Sequence, residues 1–390
     1  MSELRTTVCF VIPTRDRPDD LARTLGAIGR LPVGGGGGSG VGPNAEVLVV
    51  DNGSERIPLA PGVLANGVPV RLECLAFNEG AAARNRVIGR TDADWLVMLD
   101  DDSHPVDAGL FDAVAQAGPG THAVSADVVL CDGRREMGGL PEVFIGCGVA
   151  LRRGVFEALG GYDASMGYYA EEYDLAARLL IGGGGVAFDP RFRVEHRRAA
   201  QGRDMGLILE RLVRNNGWVM QRYAPGGVRR ACLRSDRRRA REIARREGAR
   251  AGYARGLTEL RRTVHAQERR PMTPALFDRF TGMAHARAAV GAAFAAGSFR
   301  TAALVDEGKN AWCVRRALDE LGVEIVPRDR AEVLVIATMS PGPMIDALAA
   351  RSGGGRRVIA PWEGAGFVAK DAGGSGGAAA GAQPVRRVPA

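Results

Sequence analysis

The chain lacks any apolar run long enough to cross a bilayer. Its longest weakly apolar stretch, ARAAVGAAFAAG at 286–297, is mostly alanine and glycine and falls well short of the roughly 20 residues that a hydrocarbon core requires. The opening MSELRTTVCFVIP passes from a polar start straight into a strand-like run, without the basic, apolar and small-residue segments of a secretory leader. Neither a span nor secretion is expected. Six cysteines, Cys9, Cys74, Cys131, Cys147, Cys232 and Cys313, show no C-x-x-C spacing, and most sit in apolar contexts such as TVCFVI. That pattern suits buried free thiols in a reducing cytoplasm rather than a disulfide framework. The formal charge of +7 is concentrated in arginines between Arg229 and Arg270, within a chain rich in Ala, Gly and Arg; it reads as compositional bias, and no nucleic-acid partner is expected.

What is present is ample for a globular fold: 46% hydrophobic and 25% charged residues. A length of 390 residues exceeds what one hydrophobic core usually supports, so one large domain plus a smaller unit is expected. TVCFVIP at 7–13 predicts a strand, and Leu21, Leu25 and Ile28 predict the helix after it. AEVLVVDNGS, after the spacer GGGGGSG at 34–40, predicts a second strand closed by an Asn-Gly turn. VRLECLAF predicts a third strand, NEGAAARNRVIGR a helix, and DWLVMLDDD a fourth strand that ends in three aspartates. This alternation implies a mostly parallel sheet whose strand ends carry Pro13, Thr14, Arg15, Asp51, Asn78 and Asp100–Asp102 on one edge.

Further along, an arginine-rich stretch from about Ser235 to His265 has a stripe at Ala240, Ile243, Ala244, Ala251, Ala254, Leu257, Leu260 and Val264, which suits one helix with a weakly apolar face. It would serve as a linker or as a peripheral contact with an anionic membrane surface. From Arg300 to Trp362 a second small α/β unit is expected, without a G-x-G-x-x-G signature. The predicted organisation is a large domain at 1–225, a helical linker at 226–282, a small α/β domain at 283–364 and a disordered tail at 365–390.

Three carboxylates at the end of an apolar strand repel one another unless a cation neutralises them. Hard oxygen ligands suit Mg²⁺ or Mn²⁺ together with substrate phosphates, which implies a nucleoside diphosphate compound. The plain alternative is a solvated turn in which Asp102 or Ser103 caps a helix.

FVIPTRDRP, VLVVDNGS, NEGAAARN, VMLDDDSHP, GCGVALRRGVFEALGGYD, EEYDLAARLL and FDPRFRVEH, in this order and spacing over roughly residues 7–225, resemble glycosyltransferase family 2, the inverting enzymes of the GT-A fold. The resemblance implies a Rossmann-like, mostly parallel sheet flanked by helices. It implies that Pro13, Thr14 and Arg15 border the base of a nucleotide sugar, that Asp51 contacts the nucleoside, and that Arg84 holds the base or its phosphates. It also implies that Asp100 faces the ribose, with Asp101 alongside, and that Asp102 and His196 hold Mn²⁺ or Mg²⁺. Glu172, the second acid of an ED-type motif, would remove the acceptor proton, with Glu171 beside it, although aspartate is the commoner occupant of that position. By the same resemblance Gly146-Cys147-Gly148 lies near the donor sugar, and Arg197, Arg198 and Arg203 lie in a loop over the diphosphate. Taken individually, Thr14 could cap a helix, Asp51 its Asn-Gly turn, and both glutamates could satisfy a helix dipole. The helix start favours an ionised carboxylate. A UDP-sugar is the expected donor and a hydroxyl compound the acceptor, in a cytoplasmic protein that reaches at most the inner face of a membrane.

Two rivals remain on sequence grounds. A sugar-phosphate nucleotidyltransferase would want a glycine-rich loop after the first strand, where this chain has PTRDRP. A non-catalytic sugar-nucleotide sensor would have no use for the aspartates, Glu172 and His196.

Overall fold

The computed structural model describes residues 6–32, 44–198, 204–351 and 355–363. The glycine spacer, Arg203 and the tail lie outside these residues. Strands β1 (Thr7–Thr14), β2 (Asn44–Asp51), β3 (Val70–Cys74), β4 (Trp95–Met98), β5 (Ser103–Pro105), β6 (Thr121–Leu130), β7 (Val149–Arg152) and β8 (Gly185–His196) form one sheet in the order β3-β2-β1-β4-β7-β6-β8-β5. β1 to β4 pair in parallel, β7 runs antiparallel between β4 and β6, and β5 is antiparallel to β8.

The β-branched run of β1 is buried on both faces. Val8, Phe10 and Ile12 pack with Leu21, Leu25 and Ile28 of α1 (Pro18–Ile28), while Cys9 and Val11 face the opposite layer. That is the period-2 alternation of a strand covered on both sides. Pro18 at the first helical position and Asp19 and Asp20 in the first turn start α1 where sequence rules place a helix start. α2 (Gly109–Ala115) covers the same face of the sheet, whereas α4 (Glu171–Ile181) buries Leu175, Leu179 and Leu180 against the other, and α3 (Arg153–Ala158) leads toward it.

Residues Gly80–Val87 form a 3₁₀ turn, not the expected α-helix. Its backbone starts at a left-handed Gly80 (φ 68°), and Asn85 is committed on both sides of its amide to the backbone of Tyr162, at 2.8 Å each. These tertiary anchors override a helical sequence.

Nor is the arginine-rich stretch one helix. α5 (Met205–Tyr223) packs against an antiparallel pair, α6 (Gly226–Arg246) and α7 (Arg250–Thr263), broken at Gly248 (φ 66°). Ala251 and Ala254 of the expected stripe are exposed. Leu257, Leu260 and Val264 of that stripe do pack against the core, and beside them α7 buries Gly252 and Gly256. A Cβ at Gly252 would lie 1.9 Å from the Gly206 carbonyl, and one at Gly256 2.4 Å from the Glu210 carbonyl; the helices meet backbone to backbone, which a hydrophobicity pattern does not register.

α8 (Pro274–Thr281) and α9 (Met283–Ala296) lead into a second, wholly parallel sheet in the order β10-β9-β11-β12, built from β9 (Thr301–Val305), α10 (Ala311–Glu320), β10 (Glu324–Ile325), β11 (Val333–Ile336), α11 (Pro341–Ala349) and β12 (Val358–Ile359). This unit docks on the first sheet's flank. Arg135 bridges Asp127 at 2.7 Å and Asp346 at 2.9 Å, Ser340 bonds the Gly138 carbonyl at 2.5 Å, and Trp362 meets Phe188 edge to face at 5.2 Å. Of the cysteines, Cys9, Cys147 and Cys313 are buried, but Cys74 and Cys131 are exposed. No helix among the described residues is long and apolar enough to cross a membrane.

Candidate active site

The carboxyl ends of β1, β2 and β4 meet along one edge, because Thr14 pairs with Asp51 in register and Asp100–Asp102 turn directly off β4. Parallel sheets bind ligands at this edge. The expected residues are brought together here, but their contacts divide them into an inner and an outer set.

Asp101 belongs to the inner set. It accepts from Thr14 Oγ1 at 2.9 Å and Arg17 at 3.3 Å, its carbonyl accepts from Thr24 Oγ1 at 2.7 Å, and it is 4% exposed. Burial pushes it up to about 6 while Arg17 and Thr14 pull it down. Asp101 thus ties the aspartate turn to β1 and α1, and is not presented to a donor as expected. Thr14 serves that tie and caps no helix. Asp51 accepts from Ser54 N at 3.2 Å and Ser54 Oγ at 2.5 Å, which is the turn-closing alternative. Arg197 also turns inward, to Thr24 Oγ1 at 2.6 Å, the Asp101 carbonyl at 3.1 Å and His104 at 3.1 Å, instead of reaching over a diphosphate. Pro13 is half-buried, and Arg15 lies on the exposed rim with Nε 3.2 Å from the Gly53 carbonyl.

In the outer set, Arg84 is buried and forms an ion pair with Asp100, with a second bond to the Leu99 carbonyl at 3.1 Å. Burial works against its charge, but Asp100 holds its pKa above the usual value. Asp100 keeps 40% of its side chain exposed, whereas Asp102 keeps 5%. His196 Nε2 stands 3.3 Å from Asp102 Oδ1, and its Nδ1 is 2.8 Å from Glu136 Oε2. Burial would lower the imidazole pKa, yet Asp102, Cys147 and Glu136 push it well up. Glu136, which also pairs with Arg198, is held down to about 2: burial opposes this, and the bonds to His196 and Arg198 outweigh it.

Asp100, Cys147 and His196 offer ligand atoms within 4.8 Å of one another. A carboxylate–imidazole–carboxylate chain of this kind is how proteins orient a metal-binding histidine. Glu136 fixes Nδ1, so Nε2 is aimed at Asp102, and a cation at about 2.1 Å from each ligand fits a 3.3 Å gap. The residues present therefore fit a hard divalent metal, with Cys147, a soft ligand and pushed up to about 11 by burial, the least suited member.

Glu171 and Glu172 occupy the first turn of α4, but burial overrides the ionised state expected there. Both are raised, first by burial; Glu171, raised well above the usual range, is raised further by Glu172. Glu171 is 7% exposed and its Oε2 has no partner among the described residues. Two neighbouring acids share the site unequally, and it is Glu171 whose pKa is raised well above the usual range. Gly146 makes room for Glu172, since a Cβ there would stand 2.9 Å from Oε1, while Gly148 is closed off by Val128 at 2.8 Å.

Sequence reasoning missed Arg17, Glu136, Tyr173 and Lys309. Glu136 lies in an irregular segment with no periodic signal, and Lys309 comes from the second sheet. A cavity of about 620 Å³ opens at the opposite edge, lined by Thr7, Asn44, Glu46, Arg71 and Arg153; it is remote from these groups.

Part of the chain resembles known proteins. Residues 9–159 match the model of glycosyl transferase family 2, and no curated protein matches the chain. Among solved structures the chain is similar to S. aureus TarS 1–349 (12% identity, TM-score 0.41, 55% of this chain and 64% of that one). It is also similar to the mannosyltransferase PcManGT from Pyrobaculum calidifontis in complex with GDP-Man and Mn²⁺ (18%, 0.42, 75% and 81%) and to GalNAc-T7 with UDP, GalNAc and Mn²⁺ (17%, 0.48, 68% and 58%). The chain thus spans less than two thirds of the TarS fragment's length. The segment that carries β1 to β4, β7 and the aspartate turn is thus similar to glycosyl transferase family 2.

Proposed function

We propose that the protein transfers a sugar from a nucleoside-diphosphate sugar to an acceptor hydroxyl with inversion, using a divalent metal on the diphosphate and Glu172 as general base. The observation that carries this reading is the convergence, on one sheet edge of a segment similar to family 2, of a metal-competent set with the half-buried acid Glu172 at the start of α4.

Asp102 and His196 would hold Mn²⁺ or Mg²⁺ with Asp100 beside them, and the metal when bound would neutralise charge on the departing diphosphate. Glu136 keeps the His196 ring in one orientation. Arg84 positions Asp100 and adds a fixed positive charge near the donor. Pro13, Arg15 and the Asp51 turn form the rim against which a base would lie. Glu172, extended by one methylene relative to aspartate, takes the acceptor proton, with Glu171 beside it. The expected donor is a UDP-sugar, and the acceptor is a hydroxyl compound. A peripheral contact through the exposed arginines of α6 would bring the enzyme to an anionic membrane surface.

The test is nucleoside diphosphate release from UDP-, dTDP- and GDP-sugars with Mn²⁺. Wild type is expected to turn over one of them, and Glu172→Gln to lose about 10²–10⁴-fold in rate with donor affinity retained. Turnover undiminished in Glu172→Gln removes the base assignment; no turnover with any donor, together with intact nucleotide binding, favours the sensor reading.

A further inference from the structure

Of 52 lysine and arginine residues, only Lys309 and Lys370 are lysines. Lys309 sits in the loop between β9 and α10, at the carboxyl edge of the second sheet, where a parallel sheet presents its functional groups. The loop is tightly held. Gly308 N donates to the Ala337 carbonyl at 2.9 Å, Met339 N donates to the Lys309 carbonyl at 2.8 Å, and Asn310, at φ 53°, reaches the Thr281 carbonyl at 2.8 Å. Gly308 tolerates no side chain, since a Cβ would meet Thr338 Oγ1 at 2.7 Å.

This clamp presents the ammonium to the Tyr173 hydroxyl and 4.2 Å from the centre of its ring. Tyr173 is itself braced edge-on against Phe280 at 6.2 Å. Tyr173 immediately follows Glu172, so the second sheet delivers a cation to the first turn of the helix that carries the base. A compact ammonium on a flexible stem suits so tight a place better than a planar guanidinium, in a chain that otherwise uses arginine almost throughout.

We propose that Lys309 is a positioning residue that keeps Glu172 ionised and oriented, so that the second α/β unit completes the catalytic centre of the first. This rests on Glu172 being the base. The charged and titratable groups around Glu172 are Glu171 on its own helix, Arg84 from the 3₁₀ turn, Asp100 from the aspartate turn, Tyr162 from the loop before α4, and Lys309. Burial pushes Lys309 down to about 8, with Glu172 the group that opposes it. Glu172 is raised by burial and by Asp100, and Arg84 and Lys309 draw it back. With Lys309 removed, the carboxylate would lose one of its two cations and take up its proton at higher pH.

The experiment follows the Glu172 carboxyl by carbon-13 NMR in the full chain carrying labelled glutamate, its signal assigned by loss in Glu172→Gln. Lys309→Met is expected to raise the midpoint by half a pH unit or more, to move the acid limb of donor turnover with it, and to slow turnover about tenfold at neutral pH, while nucleotide–Mn²⁺ affinity changes less than twofold. Lys309→Arg keeps the charge and should restore most of the midpoint, which separates electrostatics from packing; the thermal melts of both variants verify folding. An unmoved midpoint in folded Lys309→Met overturns the proposal. If the midpoint moves and Glu172→Gln turns over normally, it is the assignment of the base that has failed.

Discussion

Glu136→Gln removes one charge from the chain that connects Asp102, His196, Glu136 and Arg198. The carboxyl is 9% exposed and is held from its ordinary value of 4.5 down to about 2, so at 1.36 kcal/mol per pH unit its interactions contribute at most roughly 3–4 kcal/mol. Part of that sum is the raised pKa of His196 counted from the other side, and about 2 kcal/mol is the expected loss. The pH dependence has a definite sign. A depressed carboxyl adds stability that is complete above about 4.5 and is lost as pH falls toward 2. Denaturant unfolding followed by circular dichroism should show the full gap between wild type and Glu136→Gln at pH 6–7, narrowing progressively below pH 4.5. Because Nδ1 loses its charged partner, Mn²⁺ affinity should fall about 10–100-fold. A variant as stable as wild type at pH 7, with unchanged Mn²⁺ affinity, would refute the argument that Glu136 orients His196.

Gly252→Ala should destabilise by about 1–2 kcal/mol despite alanine's better helix propensity, because its Cβ strikes the Gly206 carbonyl. The control is Gly291→Ala on α9, which meets nothing within 4 Å and should raise stability by about 0.5–1 kcal/mol; thermal melts of both decide it. Gly146→Ala should displace Glu172, with which its Cβ would collide, and lower turnover about tenfold or more without a comparable loss of nucleotide affinity. For the basic surface, reversing Arg234, Arg238 and Arg241 to glutamate, all exposed on α6, should cost about 1 kcal/mol of vesicle affinity per lost cation. Sedimentation with phosphatidylserine-containing and neutral vesicles measures it, and equal binding to both removes the membrane proposal.

Much of this was legible in the sequence because it depends on local pattern. The β-branched runs of β1 and β2 and the spacing of Leu21, Leu25 and Ile28 carry their own periodicity, and the sheet buries what they mark. Asp102 and His196 were expected at one edge because the motif order fixes which strand ends meet, and the structure sets them 3.3 Å apart. What could not be read depended on groups distant in sequence. Asp101 and Asp102 differ by one position, yet Thr14 and Arg17 turn the first inward. The ionisation of Glu171 and Glu172 is decided by burial, which a helix-dipole argument leaves out. The close approach of α7 to α5 is made by Gly252 and Gly256, which a search for apolar stripes passes over although it finds Leu257 and Leu260. Lys309 offered a signal of a different kind, as one of two lysines in a chain of arginines.

If the aspartate edge binds a nucleoside diphosphate through a metal held by Asp102 and His196, nucleotide binding depends on that metal. Calorimetric titration of UDP, dTDP and GDP, each with and without Mn²⁺, on wild type and Asp102→Ala tests it directly. One nucleotide is expected to bind wild type only when Mn²⁺ is present, and Asp102→Ala, still folded, to lose that metal dependence. Metal-independent binding of equal strength in both proteins, or no binding of any nucleotide, would contradict it.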